Sequence, residues 1–218
     1  MTFDWAYAKA ILPSLLEAMV ITLQATFAGF GLAVVVGLGL ALARRSAQRV
    51  ISRPAGWFVE FVRSTPLLVQ LYFLVFALPS AGTALSPCAA GVLGLGLHYA
   101  TYISEVYRAG IEAVPPGQWE AATALNFNRF QTWTRVILPQ AIPPIIPMLG
   151  NYLIVMFKET PQLSAITVVE MLQRAKILGA RSFQYLEPFT LVGLLFLLLS
   201  YPSSLLVRRL EARLARRG

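Results

Sequence analysis

Charged residues cluster along the chain, and the stretches between the clusters are long and apolar. Between Glu17 and Arg44 lie 26 residues without formal charge, between Arg63 and Glu105 there are 41, between Arg135 and Lys158 there are 22, and between Glu187 and Arg208 there are 20. About 20 predominantly apolar residues in helical form cross the hydrocarbon core of a bilayer. The 41-residue stretch is too long for one crossing and is divided by "LPSAGTALSPC" (Leu78 to Cys88), a run rich in turn-forming residues. The pattern therefore predicts an all-helical membrane domain of five spans, near residues 16–43, 58–78, 87–111, 138–157 and 186–207. The first stretch lacks a basic lead and is longer than a signal-peptide core, so it is read as a retained span. Residues 1–14 are expected to form a short external leader lying along the interface, with Trp5 and Tyr7 at headgroup depth.

Composition agrees with the pattern: 57% of the 218 residues are hydrophobic and 13% charged, against about a quarter charged in a soluble domain. A net charge of +8 would suggest nucleic-acid binding in a soluble protein, but the placement of the charges points elsewhere. With five spans, 13 of the 18 basic residues fall on one face, among them Arg44, Arg45, Arg49, Arg53, Arg63, Arg129, Arg135 and the terminal group that includes Arg216 and Arg217. The positive-inside rule then puts the N-terminus outside and the C-terminus in the cytoplasm. Cys88 is the only cysteine, which leaves no internal disulfide and no thiolate metal cluster.

Between the third and fourth spans the chain turns amphipathic over 112–137, a connection far longer than a crossing requires. "QWEAATAL" has high helix propensity, "NRFQTWTRV" forms a second short helix, and Pro139 starts the next span. Gly117 ends the extension of span three, and Asn126 takes the left-handed backbone that a sharp bend needs. Trp119, Phe127, Phe130 and Trp133 together with the small residues around Glu120 suit this cytoplasmic helix pair to docking in a partner's groove. Gly29, Gly31, Gly37 and Gly39 are expected to let span one approach its neighbours closely, and a short external helix is expected over 163–178.

Nucleotide, nucleophile-elbow and zinc-protease motifs are absent from the sequence. A membrane enzyme would need a carboxylate, histidine or nucleophile set at one interface, and a secondary transporter would call for inverted repeats; neither is visible. The single histidine, His98, is read as a hydrogen-bonded helix residue rather than a proton relay. Tyr102, Glu105 and Arg108 lie three apart on one helical face, so Glu105 can pair with Arg108, either as an anchor for the helix end or as a gate. Tyr99, Tyr102, Glu105 and Asn151 are candidates for a polar-solute path by location.

"EAATALNFNRFQTWTRVILP" resembles the EAA loop of permease subunits of ATP-binding-cassette importers. Glu120, Ala121, Ala122, Leu138 and Pro139 match its pattern, while Asn126 stands at the loop's glycine and Val136 at its isoleucine. "TLQATFAGFGLAVVVGLGLALAR", "FVEFVRSTPLLVQLYFLVFALP" and "LPQAIPPIIPMLGNYLIVMFKETPQLSAITVVEML" are similar to the polar amino-acid subfamily, and "AGVLGLGLHYATYISEVYRAGIEAVP" resembles ectoine/hydroxyectoine permeases most closely. Pro161 and Gln162 depart from the subfamily's usual text. The resemblance implies the type I importer (MetI-like) fold and an inner-membrane location. It also implies a second permease subunit, identical or paralogous, an external solute-binding protein, and separate ATPase subunits that carry the ATP, so this subunit would bind no cofactor. Gly117, Glu120, Ala121, Ala122, Asn126, Leu138 and Pro139 would form the coupling element, and the substrate would be a polar amino acid or a compatible solute such as ectoine. Lipid would surround the chain, and no nucleic-acid partner is implied.

Overall fold

A computed structural model describes residues 3–215; the expected basic residues Arg216 and Arg217 lie outside them. Every regular element among the described residues is helical. Helix α1 (Trp5–Arg44) runs unbroken for 40 residues, about 60 Å at 1.5 Å per residue. The expected interfacial leader is therefore the first part of α1. The Asp4 carboxylate caps it, accepting from the Ala6 and Tyr7 amides at 2.8 and 3.1 Å. Its start is tied inward, since the Asp4 amide donates to Glu187 at 2.9 Å and the Tyr7 hydroxyl lies 2.7 Å from Ser182 Oγ.

The next helix, α2 (Arg49–Arg63), ends three residues before α3 (Leu67–Tyr72), which continues through a π-turn (Phe73–Ala77) and a 3-10 turn (Leu78–Ala81). Across this break the axes turn by 103°. The stretch expected as one span over 58–78 is therefore broken between Arg63 and Leu67. Pro66 biases Thr65 away from helical geometry and has no amide to continue α2, so the chain breaks there.

Helix α4 (Pro87–Glu112) is the most enclosed element and packs along α1 and α7. A Cβ at Gly37 would meet the Ala100 carbonyl at 2.9 Å, and one at Gly96 would meet Leu32 at 2.5 Å. Glycine at these two positions sets the α1–α4 approach; Gly31 and Gly39 have nothing within 4 Å and do not share that role. Three helical stretches are long and apolar enough to cross a membrane, Trp5–Arg44, Arg129–Ile166 and Leu186–Leu214, with the bent pair as a fourth candidate. Although α4 has the length, its small and polar residues face protein, which lowers its hydropathy.

Helices α5 (Pro116–Ala124) and α6 (Arg129–Gln131) follow, and a π-turn (Thr132–Ile137) leads without a break into α7 (Leu138–Glu159). A separate helix ending before Pro139 was expected; the wider π-turn instead accommodates the proline, whose missing N–H and ring disfavour a regular α-turn. Pro161 sits in the first turn of a 3-10 segment (Thr160–Ile166), where its lost amide costs nothing, and Gln162 donates to Glu159. The external helix expected from 163 begins at Met171 as α8 (Met171–Ser182), because the chain first reverses at Thr167, whose φ is 66°. Helix α9 (Leu186–Ala215) closes the bundle.

Candidate functional site

Two regions gather the chemistry-bearing residues, and the first lies at one end of the α1–α4 contact. There Glu105 accepts from Arg108 at 2.8 Å, as the three-residue spacing implies, and from Arg44 of α1, while Arg63 at the end of α2 lies 3.6 Å away. Arg108 also donates to Glu112 at 2.7 Å. One carboxylate thus joins three helices. About a fifth of the Glu105 side chain remains exposed, so the pair is only partly desolvated and each partner is satisfied by more than one contact.

One turn along α4, an aromatic cluster adjoins this carboxylate. The ring centres of Tyr99, Tyr102 and Tyr152 (α7) lie 5.9–6.1 Å apart, His98 is 5.3 Å from both Tyr99 and Tyr102, and the Arg63 guanidinium stands 5.1 Å from the Tyr102 ring. Such spacing is that of interacting aromatic pairs and of a cation over a π-face. His98 Nδ1 is 3.3 Å from Gln70 Oε1, and Gln70 Nε2 donates to the Val62 carbonyl at 2.8 Å and to Thr65 Oγ1 at 2.7 Å. Gln70 therefore stitches the α2–α3 bend to α4. Arg44, Arg63, Gln70 and Tyr152 were not singled out from the sequence, because no local spacing brings them to α4. Asn151 is not part of this cluster: one position before Tyr152 on α7, it is exposed and lines a separate open cavity of about 790 Å³ with Pro143, Pro144, Pro147 and Glu211.

The second region is the α4–α7 connection. Asn126 has φ 54°, and the amides of Asn126 and Phe127 donate to the carbonyls of Thr123 and Ala122 at 2.9 and 3.0 Å. This pair of bonds is the Schellman arrangement that ends a helix at a left-handed residue. Asn128 then caps the next helix in a reciprocal capping box with Gln131. Gly117 is the second residue of α5 rather than the end of an extension of α4, which stops at Glu112. Ala122 is buried, Leu138 half-buried, and Gly117, Glu120, Ala121, Asn126 and Pro139 are exposed. The four aromatics do not act alike: Trp119 and Trp133 meet edge to face at 5.3 Å over Ile111, Val114, Ile137 and Ala141, whereas Phe130 is 75% exposed. Arg45 lies over Trp133 at 5.7 Å, and Gln140 donates to Gln118 at 3.2 Å. One face of the loop is bonded to the bundle; the other presents Glu120, Leu125 and Phe130.

The described residues thus form an all-helical bundle with helices apolar enough to cross a membrane, a partly buried aromatic and charge cluster, and an ordered loop with an exposed outer face. Residues 33–216 match the family described as the binding-protein-dependent transport system inner membrane component, and the chain belongs to it. It is similar to the probable amino-acid ABC transporter permease protein y4tG of Sinorhizobium fredii, at 48% identity over 99% of this chain and 93% of that relative. It is also similar to the glutamine transport system permease protein GlnP of Escherichia coli, at 33% over 98% and 99%. Its fold superposes on a solved amino acid ABC transporter with a TM-score of 0.93 at 34% identity, covering 98% of this chain and 100% of that one. The fold alone is shared with the MetNI methionine ABC transporter, at a TM-score of 0.73 and 21% identity. The protein is an inner-membrane component of a binding-protein-dependent transport system, not an enzyme.

Proposed function

We propose that this subunit forms half of an import path for a polar amino acid, driven by ATP bound on separate ATPase subunits that seat against the outer face of the α5–α6 loop. With five spans, as the charge pattern predicts, that loop and the C-terminus would lie on the cytoplasmic side. The observation that carries the reading is the loop itself: it is built on the bundle through Trp119 and Trp133 yet leaves Glu120, Leu125 and Phe130 uncovered. ATP-driven movement of a partner held there would pass into α4 and α7, which the loop joins. A second permease subunit, identical or paralogous, completes the path, and an external solute-binding protein delivers the substrate.

The tyrosine cluster beside Glu105 and its arginines suits a zwitterion, with aromatic faces for the solute's body and charges of both signs nearby. Relatives named for glutamine, arginine and cystine transport support an amino acid of this kind; ectoine, itself a zwitterion, is the alternative substrate. Reconstitution with the ATPase and binding protein tests both levels. Uptake of labelled glutamine or arginine that requires ATP and the ATPase is expected. Uptake that persists without them overturns the importer mechanism, and selective uptake of ectoine replaces the amino acid.

A further inference from the structure

The helix α2 has a surface that the transport reading leaves unused. At 100° per residue, Val50, Ile51, Trp57, Phe58 and Phe61 fall on one arc of this helix, and all are exposed, Val50 and Trp57 by 85% and 83%. Val59 and Val62 lie just past the Ile51 edge of that arc and are buried against the bundle. Arg49 and Arg53 share a third strip, between the exposed apolar arc and the buried one; both are exposed, as is Glu60, which lies on that strip two turns further on, so the strip keeps a net positive charge at its N-terminal end. The 103° turn between α2 and α3 sets α2 across the direction of a crossing helix, so where α3 crosses the bilayer α2 lies nearly in its plane. Beyond the bend, Val69 of α3 and Phe73 and Phe76 of the π-turn that follows it are also exposed.

We propose that α2 is an interfacial helix that binds anionic phospholipid, with Trp57, Phe58 and Phe61 in the headgroup–acyl boundary and Arg49 and Arg53 on the lipid phosphates. An exposed apolar arc flanked by arginines is the chemistry by which a helix lies on a negatively charged leaflet. Exposed apolar residues on both arms of the bend, together with the two arginines, favour anionic lipid over a protein partner, because an arm that crosses the bilayer turns such residues to acyl chains. The anchor has a mechanical consequence. The last residue of α2, Arg63, stands over Tyr102 and beside Glu105, so a lipid-held α2 fixes one wall of the aromatic cluster.

The test needs neither substrate nor ATPase, so its failure is distinct from failure of the transport reading. The full chain is reconstituted in vesicles of phosphatidylcholine with equal mole fractions of acyl-brominated phosphatidylcholine or brominated phosphatidylglycerol, and the fluorescence lost in Trp57→Phe isolates the Trp57 signal. Both brominated lipids are expected to quench Trp57, the anionic one several-fold more effectively. The variant with Arg49→Gln and Arg53→Gln together is expected to lose that excess, each arginine near the surface being worth up to about fivefold. Absence of quenching by either lipid would show the face covered by protein and overturn the proposal. Equal quenching by the two lipids, or an excess that survives the double substitution, would overturn the anionic-lipid assignment.

Discussion

Glu105 holds α1, α2 and α4 together with one side chain. Its removal leaves Arg44, Arg63 and Arg108 facing one another at a partly buried site. Fully buried pairs cost 3–5 kcal/mol to break from one side, and the remaining water contact lowers this to about 2 kcal/mol. Glu105→Gln is therefore expected to lower the thermal unfolding midpoint and to abolish uptake, whereas Glu105→Asp should retain part of both; a Gln variant as stable as the parent would remove Glu105 from the clamp. Glu170 makes a second prediction at this scale. It is fully buried at the start of α8, where its carboxylate accepts from the Leu172 and Gln173 amides at 2.9 and 2.7 Å. Burial raises its pKa above the ordinary 4.5, and the two amide bonds and Lys176 oppose that rise without cancelling it. A carboxyl with a raised folded pKa adds stability that is complete below its unfolded value and is lost as pH rises through the folded one. The unfolding midpoint of Glu170→Gln relative to the parent should accordingly increase from pH 4 to pH 7, measured by thermal denaturation in detergent; a decrease over that range would contradict the assignment.

At the scale of elements, the loop turn and the helix contact make opposite demands on side chains. Asn126 sits at φ 54°, so Asn126→Gly should preserve ATP-coupled uptake, while Asn126→Val places a β-branched residue in the left-handed region at about 1–3 kcal/mol and should weaken coupling with membrane insertion intact. Between α1 and α4 the contrast is spatial: Gly37→Ala drives a methyl to 2.9 Å from the Ala100 carbonyl, whereas Gly39→Ala meets nothing. Overpacking costs about 1–3 kcal/mol, so only the first should lower the unfolding midpoint. The turn at Asn126 was legible because its signal is local, a left-handed-tolerant residue between two helical runs. The division of glycines was not, since Gly37 and Gly39 read alike until α4 is placed beside one of them. Likewise the Glu105–Arg108 pair follows from spacing, but Arg44, 61 positions away, reaches Glu105 through tertiary packing. What sequence alone missed at Pro66 is that the helix before it lies across the next one and does not extend it.

At the scale of the whole molecule, the outer surface divides into two chemistries. Leu194, Leu197 and Leu198 of α9 are exposed side by side, as on a surface turned to acyl chains. The face of α7 around Asn151 is different, because an exposed amide stands in mid-helix beside a Pro-lined cavity that Glu211 also borders. An amide facing hydrocarbon is costly, so on the proposed transport reading this face would turn to a second permease subunit or to a water-filled path. Cys88 is exposed and is the only cysteine, so Cys88→Ser gives a thiol-free background on which single cysteines report their surroundings. In membranes holding the complete transporter, Asn151→Cys is expected to react with a small charged thiol reagent, and Leu198→Cys, 68% exposed in the isolated chain, to stay unlabelled because lipid covers it and suppresses thiolate formation. Equal labelling of the two would mean that α9 is also wet, and would move the second subunit away from α7.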